Sequence, residues 1–252
     1  MTVLVGLAII LFVLMRIIGG EKGTKSFIAL FLNFVIVFMM MLLTVYEKDP
    51  IFLTFIACIL VSCVNLFYIN EVNLKTKTAF VATLMTVFIL FILVYGLMEF
   101  AKIQGFGEEE VEELSTFSFY IGIDFIKVGI STILLGMIGA VTDTAISIAS
   151  AMNEIYFHNP LLTKKNLFKS GMTVGKDILG TTTNTLFFAF VGGYLALILW
   201  FKDIYYSFET IINSKVFMAE VLSVLCIGIG AILIIPITAW LTSMILTKVE
   251  KT

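Results

Sequence analysis

The sequence predicts an all-α, polytopic membrane protein with about seven transmembrane helices. Three observations predict it. The 252 residues are 60% hydrophobic and only 13% charged, whereas a soluble domain is roughly half apolar and about a quarter charged. Several uninterrupted apolar runs approach or exceed the roughly 20 residues a helix needs to cross a bilayer. The alternating pattern of a membrane β-barrel is absent. Backbone polar groups in hydrocarbon must be satisfied within the segment, so the runs are read as helices.

The net charge of -2 gives no reason to expect nucleic acid as a partner. Cys58, Cys63 and Cys226 lie in apolar segments, and their spacing fits no zinc, haem or thioredoxin pattern. They read as small buried apolar side chains. No cofactor is expected.

The chain reads as one membrane domain, 1–252. Residues 1–100 form a four-helix part, 101–118 an acidic extracytoplasmic loop, 119–200 a motif-bearing core, and 201–252 a kinked last helix and tail. The first segment spans Thr2 to Ile18. No basic residue precedes it, and Arg16, Lys22 and Lys25 close or follow it. A cleaved signal peptide would carry its charge in front, so an uncleaved helix is expected. Segment two runs from Ser26 to Val45. Pro50 then forces a turn, because it cannot continue a helix and restricts the residue before it. Segments three and four span Ile51 to Ile69 and Thr78 to Phe100.

The acidic connector carries Glu108, Glu109, Glu110, Glu112 and Glu113. Segment five begins near Tyr120, and its helical pattern continues toward Tyr156. At 1.5 Å per residue such a helix is about 55 Å long, against a hydrocarbon core of about 30 Å. It must tilt, leave the membrane or break, and Gly136 and Gly139 are the expected break points. His158-Asn159-Pro160 ends it, and His158 reads as a turn residue. Segment six spans about Thr173 to Trp200. Segment seven, Val216 to Leu246, contains Gly228, Gly230 and Pro236, which invite a kink.

Loop charges orient the chain. Arg16, Lys22, Lys25, Lys75, Lys77, Lys164, Lys165, Lys169, Lys176, Lys248 and Lys251 fall on one side, and Lys48, Lys102, Lys202 and Lys215 on the other. The positive-inside rule then places the N-terminus outside and the C-terminus in the cytoplasm.

A short pattern occurs twice in the second half, Gly139-Ala140-Val141-Thr142-Asp143-Thr144 and Gly180-Thr181-Thr182-Thr183-Asn184-Thr185. Asp143, Ser147, Ser150 and Glu154 fall on one narrow helix face at the helical period, and so do Asp177, Gly180, Thr181 and Asn184. A charge near the centre of a membrane helix costs about 2.5–3.5 kcal/mol on insertion scales and usually faces a bundle interior or a wet cavity. The two helices run in opposite directions, so the stripes are expected to meet as an antiparallel pair. A related pattern on antiparallel elements resembles the inverted repeats of secondary transporters. The facing oxygens suit a hard cation or a proton, with Asp143 and Asp177 the candidate metal-binding carboxylates. Gly136, Gly139 and Gly180 are expected to permit close packing or a helix break. Asp124 and Lys127, three apart, form an expected secondary ion pair. Glu99 and Glu220 read as boundary residues that reach water.

The run from Gly136 to Ala151, GMIGAVTDTAISIASA, and the run from Ser170 to Leu186, SGMTVGKDILGTTTNTL, resemble the signature of the YibE/F-like family of bacterial multi-pass membrane proteins. The likeness is strongest over about Tyr120 to Trp200. Asp143, Ser147, Ser150, Asp177, Gly180 and Asn184 occupy the family's motif positions, and Lys176 stands where relatives often carry Arg. The length matches the shorter, YibF-like type. The resemblance therefore implies the bacterial cell membrane and a heteromer with a longer YibE-like paralogue, a homo-oligomer being the other arrangement.

The expected function is a transporter, or a transporter subunit, for a small ion or small molecule. A non-transporting scaffold or sensor that stabilises a paralogous partner is the alternative. Enzymatic activity is not expected. No G-x-x-x-x-G-K-[ST] loop or H-E-x-x-H pair occurs. Gly175-Lys176-Asp177 also departs from the G-x-G-D pattern of intramembrane aspartyl proteases.

Overall fold

The computed structural model describes residues 2–46, 49–101, 103, 124–203 and 205–249. It is all-helical, with no strand among the described residues. Seven α-helices follow in order among the described residues: α1 (Thr2–Val45), α2 (Pro50–Cys63), α3 (Leu74–Ala101), α4 (Phe125–His158), α5 (Lys164–Asp203), the short α6 (Phe208–Asn213) and α7 (Lys215–Val249). The acidic connector with Glu108 to Glu113, the start of segment five at Tyr120, and Lys48, Lys102 and Lys251 lie outside the described residues.

Helix α1 is two helices joined at Gly20, whose φ of 58° and ψ of -131° are not helical. Glycine adopts this conformation without steric cost. The two arms fold back on each other there. Phe12 and Phe27 pack in a tilted pair with ring centroids 5.0 Å apart, where 15 residues of straight helix would separate them by roughly 22 Å. Arg16 donates to the Thr24 hydroxyl at 3.2 Å across the turn. Gly23 sits so close to the Met15 carbonyl that a Cβ at this position would overlap it. The break between segments one and two therefore falls at Gly20, inside the short loop the sequence predicts.

Asp49 caps α2 by accepting from the Ile51 and Phe52 amides, with Pro50 in the first turn, where its missing N–H is no loss. The helix runs on into a π-helical turn, Val64–Tyr68, a wide turn often found at functional positions. Asn65 in that turn accepts from the Asn33 amide at 2.8 Å, which ties α2 to the second arm of α1.

Helix α4 is the hub, packing on α2, α3, α5 and α7. Met137, Val141, Ala145, Ile148 and Met152 on it are fully buried. Its backbone runs through Gly136 and Gly139 without the break expected there. Gly136 instead serves close packing, since a Cβ there would press on Ile227 of α7 at 3.1 Å. Helix α7 likewise continues through Pro236, and its Gly230 lets Leu90 of α3 approach.

The contacts sort the connections into two ends. At one end Lys127 donates to Asp49 at 2.6 Å, Glu99 pairs with Tyr95, and Glu220 pairs with Tyr194. At the other, Lys25 lies 3.6 Å from Glu71, Lys22 donates to Asn70 at 3.3 Å, and Pro160, Lys164, Thr247 and Lys248 line one cavity. The basic loops thus gather at the second end.

The expected Asp124–Lys127 pairing gives way to two other contacts. Asp124 caps α4 by accepting from the Ile126 and Lys127 amides, and the Lys127 ammonium reaches across the chain to Asp49. Lys127 holds the Asp49 carboxyl below the usual carboxylate range. A depressed folded value stabilises the protein above the ordinary value of 3.8, and that contribution is lost as pH falls from there through the depressed value. The pair is exposed, so the effect is small and screened by salt. Asp49→Asn should keep the cap and lose the pair, while Asp49→Ala should lose both. Thermal unfolding should rank wild type above Asn above Ala, with loss of the cap costing about 1 kcal/mol.

Candidate functional site

The polar stripe of α4 faces a groove against α5. A cavity of about 430 Å³, open on one side, is lined by Gly139, Ala140, Asp143, Thr144 and Ser147 from α4 and by Ile178, Thr181, Thr182, Thr185 and Leu186 from α5. Asp143 lies near the middle of the 34-residue α4 and is exposed to the groove. A lone carboxylate at that depth is unfavourable against lipid, which marks the groove as a place where water, an ion or protein is held.

Three of the five lining hydroxyls point their hydrogens away from the cavity. Ser147 donates to the Asp143 carbonyl at 2.7 Å. Thr181 donates to the Ile178 carbonyl at 2.8 Å and Thr185 to the Thr181 carbonyl at 2.9 Å. A hydroxyl has one proton and two lone pairs, and back-bonding to the helix uses the proton. These three side chains therefore offer the groove acceptors only, beside an acceptor carboxylate. With the carboxylate they favour a cation, a proton or a hydrogen-bond donor over an anion, while Thr144 and Thr182 in the same lining keep hydroxyls that can donate.

The structure brings together only part of the predicted set. Asp143, Ser147 and Thr181 line the groove, and Gly139 leaves its floor open, since a Cβ there would meet nothing within 4 Å. Ser150 and Glu154 continue the α4 face beyond the cavity, Glu154 exposed and near the basic end.

Asp177, Gly180 and Asn184 do not meet the α4 stripe. They are exposed and absent from the groove lining. The reason is the opposite face of α5. Gly171 and Gly175 are buried there, so close to Met152, Ile235 and Ala239 that an added Cβ would overlap them. That inner seam fixes the rotation of α5 and turns Asp177 outward. Gly180 has open space around its Cβ position, and the helix is unbroken at it. The two copies of the repeated pattern accordingly differ in setting. Thr142 and Thr144 are buried, whereas Thr183 and Thr185 are exposed.

Among the described residues no three His, Cys, Asp or Glu side chains group to hold a metal ion. Asp143 and Asp177, the two candidates, point from different faces. Thr144 on α4 and Thr182 and Thr185 on α5 are groove residues that the two predicted stripes do not select. The two copies of the repeated pattern contain all three and gave the available signal.

Among the described residues five helices are long and apolar enough to cross a membrane: Val3–Val45, Pro50–Tyr68, Leu74–Ala101, Phe125–His158 and Lys215–Lys248. These apolar helices define a polytopic helical membrane protein. The family model described as YibE/F-like protein matches residues 7–248, and the chain belongs to that family. No curated protein and no solved structure matches it.

Proposed function

We propose that this chain is a membrane transporter, or the membrane subunit of one, that takes up a small cation or a proton at the Asp143 groove. The observation that carries this reading is a carboxylate at mid-depth of α4 with the Ser147, Thr181 and Thr185 oxygens beside it in the lining, all three of those hydroxyl protons committed to the backbone. The Gly20 turn divides α1 into two arms. With α2, α3, α4, α5 and α7 these make seven crossings, the basic loops facing the cytoplasm of a bacterial cell and the N-terminus outside.

The test is cation binding to the purified protein, using calcium, magnesium, manganese and sodium with proton release followed in parallel. Asp143→Asn is expected to abolish saturable binding. Asp177→Asn is expected to leave it intact, because that carboxylate faces away. Gly139→Leu is expected to fill the groove and lower affinity at least tenfold without lowering thermal stability. Binding that survives Asp143→Asn unchanged would sink the proposal.

A scaffold that transports nothing is the second reading. The outward polar face of α5 favours it, since Lys176, Asp177, Gly180 and Asn184 are all exposed there. A complex with a paralogous chain that binds no cation would support it.

A further inference from the structure

We infer that a second copy of this chain covers the outward face of α5. Lys169, Thr173, Lys176, Asp177, Gly180 and Asn184 are all exposed and recur at the helical period on the side opposite Gly171 and Gly175. Their depth follows from packing. Met152 of α4 sits against Gly171 of α5. Counted in antiparallel register from that contact, Gly180 lies level with Asp143 and Asn184 with Gly139. Lys176 and Asp177 lie about one helical turn nearer the basic end. This polar band is therefore at the level of hydrocarbon, where exposed charges and amides seek protein or water. Neither Lys176 nor Asp177 forms an ion pair within the chain among the described residues.

The charge pattern selects the occupant. Lys176 and Asp177 are adjacent and opposite in sign. In a dimer whose two-fold axis lies along the membrane normal, identical residues stay at the same depth. Lys176 of one copy then meets Asp177 of the other, and the reverse contact forms on the far side of the axis. A partner of single charge sign would leave one of the two unpaired. Gly180 has no side chain and Thr173 a small one, which lets two helices approach closely in a membrane. The inference does not depend on transport at the Asp143 groove, because the two surfaces are on different sides of α5.

The experiment is disulfide crosslinking of the full chain in membranes, with single cysteines placed at Thr173, Gly180 or Asn184. Cysteine at Phe88, exposed on α3, is the control. The native Cys58 and Cys226 are buried, and Cys63 is replaced by serine. A disulfide needs Cα atoms within about 7 Å, so at least one α5 position is expected to give a covalent dimer while Phe88→Cys gives none. Lys176→Asp or Asp177→Lys alone should cut dimer yield about fivefold or more, and the two together should restore it. Crosslinking only to a different protein, no self-crosslink at any α5 position in the normally folded chain, or a double exchange that fails to restore yield would each overturn the proposal. Cation binding measured on the same variants separates this outcome from failure of the Asp143 site.

Discussion

Gly175→Leu is expected to disrupt the association of α5 with α7 and to lower stability by about 1–3 kcal/mol or more, the range for overpacking a filled interior. The cause is geometric. Gly175 packs against Ile235 so closely that even a Cβ would overlap its branch, with two further Ile235 atoms at 3.3 Å. One turn earlier, Gly171 faces the Ala239 Cβ at 2.9 Å. Neither Ala239 nor the branch point of Ile235 can move without its backbone. Two glycines four apart thus form a seam along which α5 lies against α7. Compensation is the diagnostic part. Ile235→Ala should be destabilising alone, as a cavity, yet should recover a large share of the loss when combined with Gly175→Leu. Thermal unfolding of the four proteins in one detergent gives the cycle. Equal losses in the single and double variants would show that the seam is not where Gly175 acts.

Gly23→Ala is expected to open the α1 hairpin. Here the obstructing atom is the Met15 carbonyl oxygen, part of the backbone, so no rotamer change relieves it. The arms must separate, and with them the Phe12–Phe27 contact and the Arg16–Thr24 hydrogen bond. Gly19→Ala is the matched control, since a Cβ at that position meets nothing within 4 Å and its backbone is not left-handed. A cysteine pair bridging the arms should form a disulfide readily in the Gly19→Ala chain and at least several-fold less in the Gly23→Ala chain. Comparable bridging in both would contradict the close approach.

The helical segments were legible because apolar run length is a local property. The turn at Gly19-Gly20, the stop at His158-Asn159-Pro160 and the overlong fifth segment all follow from neighbours in sequence. What periodicity cannot fix is which neighbour a helix face meets. The Asp177 stripe is real as a face of α5, but its direction is decided by the Gly171 and Gly175 seam on the other side. That seam has a sequence signature, glycine-x-x-x-glycine, which marks close helix approach in membranes. Taken with the stripe, it would have turned Asp177 outward. The Lys127–Asp49 pair had no such signature, because its partners are separated by 78 residues. A local partner three residues away looked sufficient. Asp143 and Ser147 line the groove because the face of α4 that carries them lies opposite fully buried Met137, Val141, Ala145 and Ile148.

The depth of Asp143 has an electrical consequence. It sits near the middle of α4, so a cation taken up there as proposed would have crossed about half of the membrane field, whichever face it entered from. One elementary charge crossing the whole field is worth about 2.3 kcal/mol per 100 mV. Half of that is roughly 1.1 kcal/mol, or about a sevenfold change in occupancy per 100 mV. Occupancy of the groove would therefore follow the membrane potential as well as the concentration of the ion. An energised cell and a depolarised one would fill the same site to different extents.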